Sequence, residues 1–369
     1  MSKIVYLLGA GASFGKRHDK YPEFEILGKP SETGDIKIIG KCAYIVEGLP
    51  LVVEIPGRLA NVINEIQNCE ISQNTQNTVF PLGSYYGGTG FSTAREMLIK
   101  ELKWLKEGCE NHATIDTFAK KLYLKKQYKD FCKVEYLLSI FFILEQAYNK
   151  KDGRYDTFLA SILDENLEID NRITILTWNY DCQFELAYKE YVERKNGDWI
   201  RNKLKIADLK DQTCLTRNRI FKLNGTANFT KYIDINDYNG INEELLVNIL
   251  DAYINELNLK NTDSRISFAW DNAKYLETNF EDILEKAIKD AEILVVIGYT
   301  FPFFNREIDR KIFKAMNNLK KIYIQDPNAV QIKENLNPIY SISHTNVSHV
   351  DKNVSILTNT SQFFLPPEL

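Results

Sequence analysis

Polar and glycine residues follow five predicted strands of this 369-residue chain, and their types suit the binding of a phosphorylated ligand. The first group, Gly9-Ala10-Gly11-Ala12-Ser13, comes directly after the apolar run of residues 3–8. Glycines there allow a sharp turn, after which the amides of a following helix can point at one anion. The other groups are Thr177 to Asp181, Asn224-Gly225, Gly298 to Thr300, and Asp326 to Asn328.

The spacing within the first loop excludes two common nucleotide-binding motifs. A P-loop needs four residues between its first glycine and a Gly-Lys-Ser/Thr triplet, whereas five residues separate Gly9 from Gly15 and Arg17 stands at the hydroxyl position. The dehydrogenase fingerprint would put its third glycine at Phe14, and residues 18–35 are too polar for the strand that should carry its ribose-binding acid. A tight strand-to-helix turn without a ligand remains an alternative for this loop.

The elements that must position these groups alternate between strands and helices. Near-continuous Ile, Val and Leu runs, as at 291–297, separated by amphipathic helices, predict a parallel sheet that is covered on both faces. We therefore expect an α/β fold: a Rossmann-like doubly wound parallel sheet with helices on both faces, plus a β-hairpin-containing insertion and a helical insertion. Ligands of such sheets bind at the carboxyl ends of the strands, where the strand order reverses. Helix capping and turn formation explain each polar group separately, but they do not require such groups to occur at the ends of five strands.

The sequence predicts one domain over residues 1–369 with two insertions. An insertion or lid region is placed at 16–111, where residues 36–57 alternate like a β-hairpin and residues 81–92 form a glycine-rich loop. Helical periodicity is predicted from 114 to 148, with Asp116 near the helix start and a buried helix at its end. An acidic helical stretch predicts the second insertion, at 236–280.

Composition limits the class of protein. The chain is 44% hydrophobic and 26% charged, with a net charge of −4, so it has no electrostatic footprint for nucleic acid. Because no apolar stretch reaches the length of a bilayer span and the N-terminus has no secretory pattern, we expect a cytoplasmic protein. The cysteines include no CxxC pair, which argues against a disulfide framework and a four-cysteine zinc site. They are Cys42, Cys69, Cys109, Cys132, Cys182 and Cys214.

Taken together, GAGAS, TWNYD, KLNGT, GYTFP and QDPN resemble, in order and spacing, the sirtuin-like NAD-binding domain, and TIDTFAKKL resembles a segment of its bacterial antiviral-defence branch. The resemblance spans most of the chain and is loose over 16–111. It implies an effector that cleaves NAD+ to nicotinamide and ADP-ribose in antiphage defence, with NAD as substrate or ligand and no metal. It also implies a homo-oligomer, or a complex with another defence protein such as a hexameric ATPase. Charge and hydropathy predict neither a membrane nor nucleic acid as a partner.

The resemblance also implies roles for individual residues. Asn179 would lie under the nicotinamide ribose, Asp181 would meet the carboxamide, and Asn224 would occupy the position of the catalytic histidine. The diphosphate would contact the first loop, the adenosine side would contact the fourth group, and the adenine ribose would contact the fifth. The implied nucleotide-binding residues are Gly9, Ala10, Gly11, Ala12, Ser13, Thr177, Gly225, Gly298, Thr300, Asp326 and Asn328.

Two departures from the family bear on activity. Sirtuin deacylases carry a zinc ribbon, and this chain lacks the cysteine pairs to build one, so we do not expect protein deacylation. The family's general-base histidine is Asn224 here, and an amide cannot accept a proton near neutral pH. His18 or His112 could supply a base from another loop, although a surface histidine is the simpler interpretation. Two functions stay open: an NAD+ hydrolase, and a catalytically impaired module that binds NAD or ADP-ribose and acts through assembly with a defence partner.

Overall fold

The predicted alternation of strands and helices is present in the computed structural model. It describes residues 2–15, 48–81, 88–149, 151–193, 196–208, 218–229, 233–235, 238, 240–258, 266–271, 279–343 and 353–369. The chain divides into two units. The sheet unit comprises Met1–Ser13, Asp152–Thr226 and Arg265–Leu369, and the helical unit comprises Phe14–Lys151 and Ala227–Ser264.

Nine strands lie in the described residues: β1 (Lys3–Leu8), β2 (Val79–Pro81), β3 (Gly88–Gly90), β4 (Ile173–Thr177), β5 (Ile206–Asp208), β6 (Ile220–Lys222), β7 (Ala291–Ile297), β8 (Lys321–Gln325) and β9 (Val354–Leu357). Seven of them form one sheet in the order β5-β6-β4-β1-β7-β8-β9, and every neighbouring pair is parallel. The predicted parallel sheet is therefore confirmed.

The α-helices of the described residues are α1 (Ile55–Asn68), α2 (Gln73–Gln76), α3 (Phe91–Glu110), α4 (Ile115–Leu124), α5 (Tyr128–Tyr148), α6 (Gly153–Ile162), α7 (Gln183–Tyr188), α8 (Gly197–Lys203), α9 (Glu243–Asn258), α10 (Asn279–Ile288), α11 (Arg306–Ala315) and α12 (Ala329–Ser343). None of them is long and apolar enough to cross a membrane.

Both faces of the large sheet are packed, as the continuous apolar strands predict. Val5 and Leu7 of β1 belong to a core cluster that includes side chains of α10, α11 and α12. Tyr6, between them, points to the opposite face and belongs to a second cluster, with side chains of α6, α7 and α8. Successive residues of a strand face opposite sides, so β1 contributes to both cores and has helices on each side. The Rossmann-like arrangement is thus confirmed for the sheet unit.

The strand order reverses at β1. From β1 the chain eventually returns as β4 on one side, passes to the edge strand β5 and back to β6, and then crosses to β7 on the other side of β1. Leu8 at the end of β1 is in register with Thr177 of β4 and with Ile297 of β7. The carboxyl end of β1 is therefore the place where a doubly wound sheet binds a ligand.

The helical unit departs from the sequence prediction at its start. Of the predicted hairpin over 36–57, residues 36–47 lie outside the described residues, while Val52–Glu54 form a 3-10 turn and α1 begins at Ile55. Helix therefore replaces the second arm of the hairpin. Alternating Val and Leu next to a proline suit the first turn of a helix as well as a strand, because proline is well accommodated there.

The rest of the helical unit follows its helical periodicity more closely. The buried helix predicted at 135–148 is the second part of α5, and the acidic stretch forms α9. Strands β2 and β3 pair on either side of residues 82–87, in the segment that the sequence predicts as a loop. The bounds proposed for the two insertions, 16–111 and 236–280, remain predictions.

Candidate functional site

The first loop is a compact turn that packs against the end of β7. Residues Ala10–Ser13 form a single 3-10 turn. The Gly11 amide donates to the Gly298 carbonyl (3.0 Å), and the Ala12 amide donates to the Gly9 carbonyl (2.9 Å). These two amides, which the sequence assigns to a diphosphate, are therefore bonded within the fold.

Only glycine fits at Gly9 and Gly11, because neighbouring backbone atoms leave no room for a Cβ. A Cβ built on Gly9 would lie 2.6 Å from the Gly298 carbonyl oxygen, and one built on Gly11 would lie 2.7 Å from the Gly298 Cα. Gly298 itself has φ +58°, and its Cβ would lie 2.4 Å from the Ala12 nitrogen. Three glycines thus allow the ends of β1 and β7 to approach each other closely.

A buried hydrogen-bonded cluster joins the end of β1 to the end of β4. Ser13 Oγ donates to Asp181 Oδ2 (2.6 Å) and lies 2.7 Å from the Tyr155 hydroxyl oxygen. Asn179 Nδ2 donates to Ser13 Oγ and to the Gly9 carbonyl, both at 3.0 Å. Thr177 Oγ1 accepts from the Asn179 amide (3.1 Å), which fixes the turn that leaves β4. Three residues that the sequence predicts for the site, Ser13, Asn179 and Asp181, are therefore brought together.

The hydrogen-bond donors and acceptors of this cluster determine how the side-chain amide of Asn179 is oriented. A serine hydroxyl has one proton and can accept two hydrogen bonds, so donation to Asp181 leaves Ser13 Oγ as the acceptor from Tyr155 and Asn179. Both hydrogens of the Asn179 amide are then used. Its Oδ1 accepts no hydrogen bond from the described residues, and the residue as a whole is 8% exposed. Asn179 thus presents an acceptor at a site built from otherwise satisfied groups.

Asp181 combines a structural role with an unusual electrostatic environment. Its Oδ1 accepts from the Gln183 amide (3.1 Å) at the start of α7, so both carboxyl oxygens are bonded. Burial raises the pKa of Asp181, and the Lys222 ammonium and the Ser13 hydroxyl oppose this effect only in part. The resemblance implies that Asp181 contacts the nicotinamide carboxamide, whereas its contacts in the structure hold the cluster and the turn after β4.

Asn224 follows β6 and binds the same turn. Its Nδ2 donates to the Trp178 carbonyl (3.2 Å), and its own carbonyl accepts from the Ser267 amide (2.9 Å). The next residue, Gly225, has φ +77° and its amide donates to the Lys222 carbonyl (3.1 Å). Asn224 therefore reaches the turn that carries Asn179, but its amide supplies no base.

The loop after β7 contains a strained residue and an aromatic stack. Phe301 has φ +53°, an uncommon conformation for a bulky side chain. The Tyr299 ring stacks on Trp178 with centroids 5.9 Å apart, and the Tyr299 hydroxyl donates to both oxygens of Asp309 at 2.9 Å. Burial raises the pKa of Asp309 well above its usual range. Thr300 is exposed, and its carbonyl accepts from Asn335 of α12 (3.1 Å).

The fifth group lies at the end of β8 and makes separate contacts. The Asn328 amide donates to Asp326 Oδ1 (2.7 Å), and the Asp326 amide donates to the Leu357 carbonyl of β9 (3.0 Å). The Ala329 amide donates to the Asp326 carbonyl (3.1 Å) where α12 begins. Among the described residues, no hydrogen bond joins Asp326 or Asn328 to the Ser13 cluster, and turn chemistry accounts for the contacts of both.

Sequence reasoning missed three residues of this site. Tyr155 lies on α6, away from every strand end, so no pattern indicates that its hydroxyl reaches Ser13. Arg154 donates to the Ala12 carbonyl (2.9 Å) and pairs with Asp152. Lys222 could have been found, because a lysine at the end of an otherwise apolar strand is unusual in a sheet buried on both faces.

The histidines add no base to the described site. His112 lies in the helical unit, where its Nδ1 is 2.8 Å from the Gly108 carbonyl oxygen and its ring packs on Phe118. His18, His344 and His349 lie outside the described residues, as do Cys42 and Cys214. Among the described residues, Cys69, Cys109, Cys132 and Cys182 take part in no disulfide. Comparison with known proteins finds no matching family model, no matching curated protein and no matching solved structure.

Proposed function

We propose that the chain binds NAD+ at the carboxyl ends of β1 and β4 and hydrolyses it to nicotinamide and ADP-ribose. The observation that supports this most directly is the cluster of Ser13, Asn179 and Asp181, because it fixes Asn179 with a free acceptor oxygen. The cluster lies where the strand order of the sheet reverses. Both features suit an enzyme that must hold one polar acceptor next to a bound ribose.

The reaction needs little covalent chemistry from the protein. Water adds to the ribose carbon, the bond to the nicotinamide nitrogen breaks with its electron pair going to nicotinamide, and one proton is released. The transition state is oxocarbenium-like, so a fixed dipole and the exclusion of bulk water stabilise it. Asn179 Oδ1 can accept from the attacking water or from a ribose hydroxyl.

We place the rest of the dinucleotide along the same edge of the sheet. The diphosphate would lie against the Gly9–Ser13 turn, and the adenosine would extend past Gly298 and Thr300 toward Asp326 and Asn328. Since the Gly11 and Ala12 amides already bond to carbonyls and both glycines of the turn pack against Gly298, this assignment relies on the position of the turn at the carboxyl end of β1, where the strand order reverses.

A second candidate is a module that binds NAD or ADP-ribose without cleaving it. One observation favours it: Asn224, at the position of the family's catalytic histidine, donates to the Trp178 carbonyl and supplies no base. Such a module would act by assembly, with itself or with another antiphage defence protein such as a hexameric ATPase. The hydrolase is preferred because preorganised dipoles contribute more to many reactions than one proton transfer does.

The test is incubation of the purified protein with NAD+ and chromatographic measurement of nicotinamide. We expect slow release by the wild type and none by Asn179→Ala. Asn68→Ala, at an exposed asparagine of α1, is the matched control and should behave like the wild type. Calorimetric titration with ADP-ribose separates the candidates: binding without release supports the module, and absence of both binding and release refutes both proposals.

A further inference from the structure

Lys222 is fully buried: it alone is buried among the lysines of the described residues, and it is only 1% exposed. It is the last residue of β6 and is in register with Thr177 of β4. The turn of residues 178–182, which we call the β4 turn, leaves the sheet directly after Thr177. A buried ammonium is unfavourable unless it is paired and hydrogen-bonded, so its partners indicate why it is there.

The Lys222 ammonium has one backbone partner and one carboxylate partner. Its Nζ donates to the Asp181 carbonyl oxygen at 2.5 Å and lies 2.9 Å from Glu185 Oε1. Asp181 is the residue whose side chain bonds to Ser13, and Glu185 lies on α7, which follows the turn. Lys222 therefore connects the end of β6 to Asp181 in the β4 turn and to Glu185 in the helix that follows this turn.

The charge of Lys222 is maintained by its neighbours. Burial is the largest single effect and lowers the pKa of Lys222, but Glu185, Cys182 and Asp181 together outweigh it, so the net pKa is raised and the ammonium stays protonated. Glu185 is shared with Arg201 (3.0 Å), which also lies 3.5 Å from Asp208 Oδ2. A protonated lysine of this kind is a hydrogen-bond donor and not a base.

Buried ion pairs of this sort contribute little net stability compared with apolar residues of the same volume. A positional role explains the lysine better. The β4 turn is tied at its start by the Trp178 amide, which donates to the Leu8 carbonyl (3.0 Å), and at its end by Lys222. Asn179 lies between these two ties.

We propose that Lys222 is a positioning residue: by binding the Asp181 carbonyl it holds the β4 turn in the conformation that presents Asn179 Oδ1 to the substrate. This proposal rests on the proposed NAD+ hydrolysis for its kinetic consequence. The anchoring of the turn is a property of the free protein and can be measured without substrate.

The test compares Lys222→Met with Arg201→Met. Both substitutions remove one cation that pairs with Glu185, but only the first removes the hydrogen bond to the Asp181 carbonyl. In Lys222→Met we expect faster hydrogen exchange at the amides of Asn179 and Gln183, and a kcat for NAD+ cleavage lower by about 10-fold to 100-fold, as small misplacements of catalytic groups produce. Its affinity for ADP-ribose should stay within about twofold of the wild type, because a positioning residue acts on kcat.

Arg201→Met should leave exchange in the β4 turn and kcat close to wild type, even if its thermal stability falls equally. Unchanged exchange in Lys222→Met, an equal increase in Arg201→Met, or a loss of ADP-ribose affinity that matches the loss of kcat would overturn the proposal. If Lys222→Met does not fold, Lys222→Gln replaces it in the comparison: it retains a donor but loses the charge, and exchange at Asn179 and Gln183 should still be faster than in the wild type. A wild type that releases no nicotinamide would refute the proposed hydrolysis, while the exchange comparison would still decide whether Lys222 anchors the turn.

Discussion

Asn179 shows how a single side chain acquires a function from its neighbours. An asparagine after a strand commonly bonds to its own backbone in a turn. Here its amide hydrogens are both taken by Gly9 and Ser13, so its oxygen has a fixed direction. Each of these residues could be predicted for the site, because each follows a strand. The bond from Tyr155 to Ser13 could not, because it depends on helix packing that no local pattern encodes.

The absence of a base at position 224 leads to a prediction about rate. Asn224→His would restore a group with a pKa near 6.5 at the end of β6, able to accept a proton from a ribose hydroxyl at neutral pH. We expect NAD+ cleavage to rise by about 100-fold, measured as nicotinamide release at pH 7.5. Asn179→Ala should abolish it in either background. A histidine variant that still binds ADP-ribose but releases no nicotinamide would favour the non-catalytic module.

The close packing of Gly298 against Gly11 predicts that a larger residue at position 11 lowers stability. In Gly11→Ala, a Cβ would lie 2.7 Å from the Gly298 Cα, and neither backbone can move freely because the two are hydrogen-bonded. We expect the free energy of unfolding to fall by about 1–3 kcal/mol, measured by urea denaturation. Gly153→Ala is the control, since nothing lies within 4 Å of the added methyl group. Equal stability of the two variants would show that Gly11 is not a packing requirement.

At the scale of elements, most strands of the large sheet could be predicted, but β5 and β9 could not. Six of the seven residues of β7 are apolar, whereas β5 has three residues in all and β9 has four. Strands β5 and β9 carry too little pattern to distinguish them from a loop, and their place is set by the neighbours they pair with. The prediction of a hairpin over 52–57 is wrong for a different reason. A clear local alternation was present there, but tertiary packing favours a helix that begins at Ile55.

The start of α4 predicts a pH effect on stability. Thr114 caps this helix by accepting from the Thr117 amide, and burial raises the pKa of Asp116, in its first turn, to about 6. Between about pH 4 and 6 the unfolded chain has lost this proton and the folded chain has kept it, so this carboxyl reduces stability as the pH rises. Asp116→Asn should therefore gain stability relative to wild type across that interval.

Chemical denaturation of the wild type and Asp116→Asn at several pH values checks this expectation. The difference between their unfolding free energies should grow from pH 4 to 6 and then stay constant. Asp198→Asn, at the second position of α8, controls for the loss of a negative charge at a helix start. A difference for Asp116→Asn that does not change with pH would contradict the argument.

At the scale of the whole molecule, each unit is assembled from separate parts of the chain. The sheet unit uses three segments and the helical unit uses two. Strand β1, in the first segment, joins β4 to β7 at the middle of the sheet. Apolar periodicity predicts these strands individually, but which strands become neighbours depends on packing over the full length of the chain.

This arrangement predicts how fragments behave. Residues 152–369 expressed alone lack β1, so β4 and β7 have no common neighbour and the sheet should not form. A variant in which a short Gly/Ser linker replaces residues 14–151 retains β1, and the ends to be joined are close because Arg154 bonds to the Ala12 carbonyl. We expect cooperative thermal unfolding, followed by near-UV circular dichroism, only for the linked variant. Cooperative unfolding of residues 152–369 would contradict the central role of β1.

The pairing of β1 with β7 joins two strands that the ribosome synthesises far apart in time. Leu8 pairs with Thr177 and Ile297, so its second neighbour leaves the ribosome about 290 residues after it, which takes roughly 15–60 s at ordinary translation speeds. During that interval one edge of an apolar strand lacks its permanent partner on the nascent chain. Strand β1 therefore stays incomplete long after it is synthesised, and the cell must keep it from aggregating until β7 emerges.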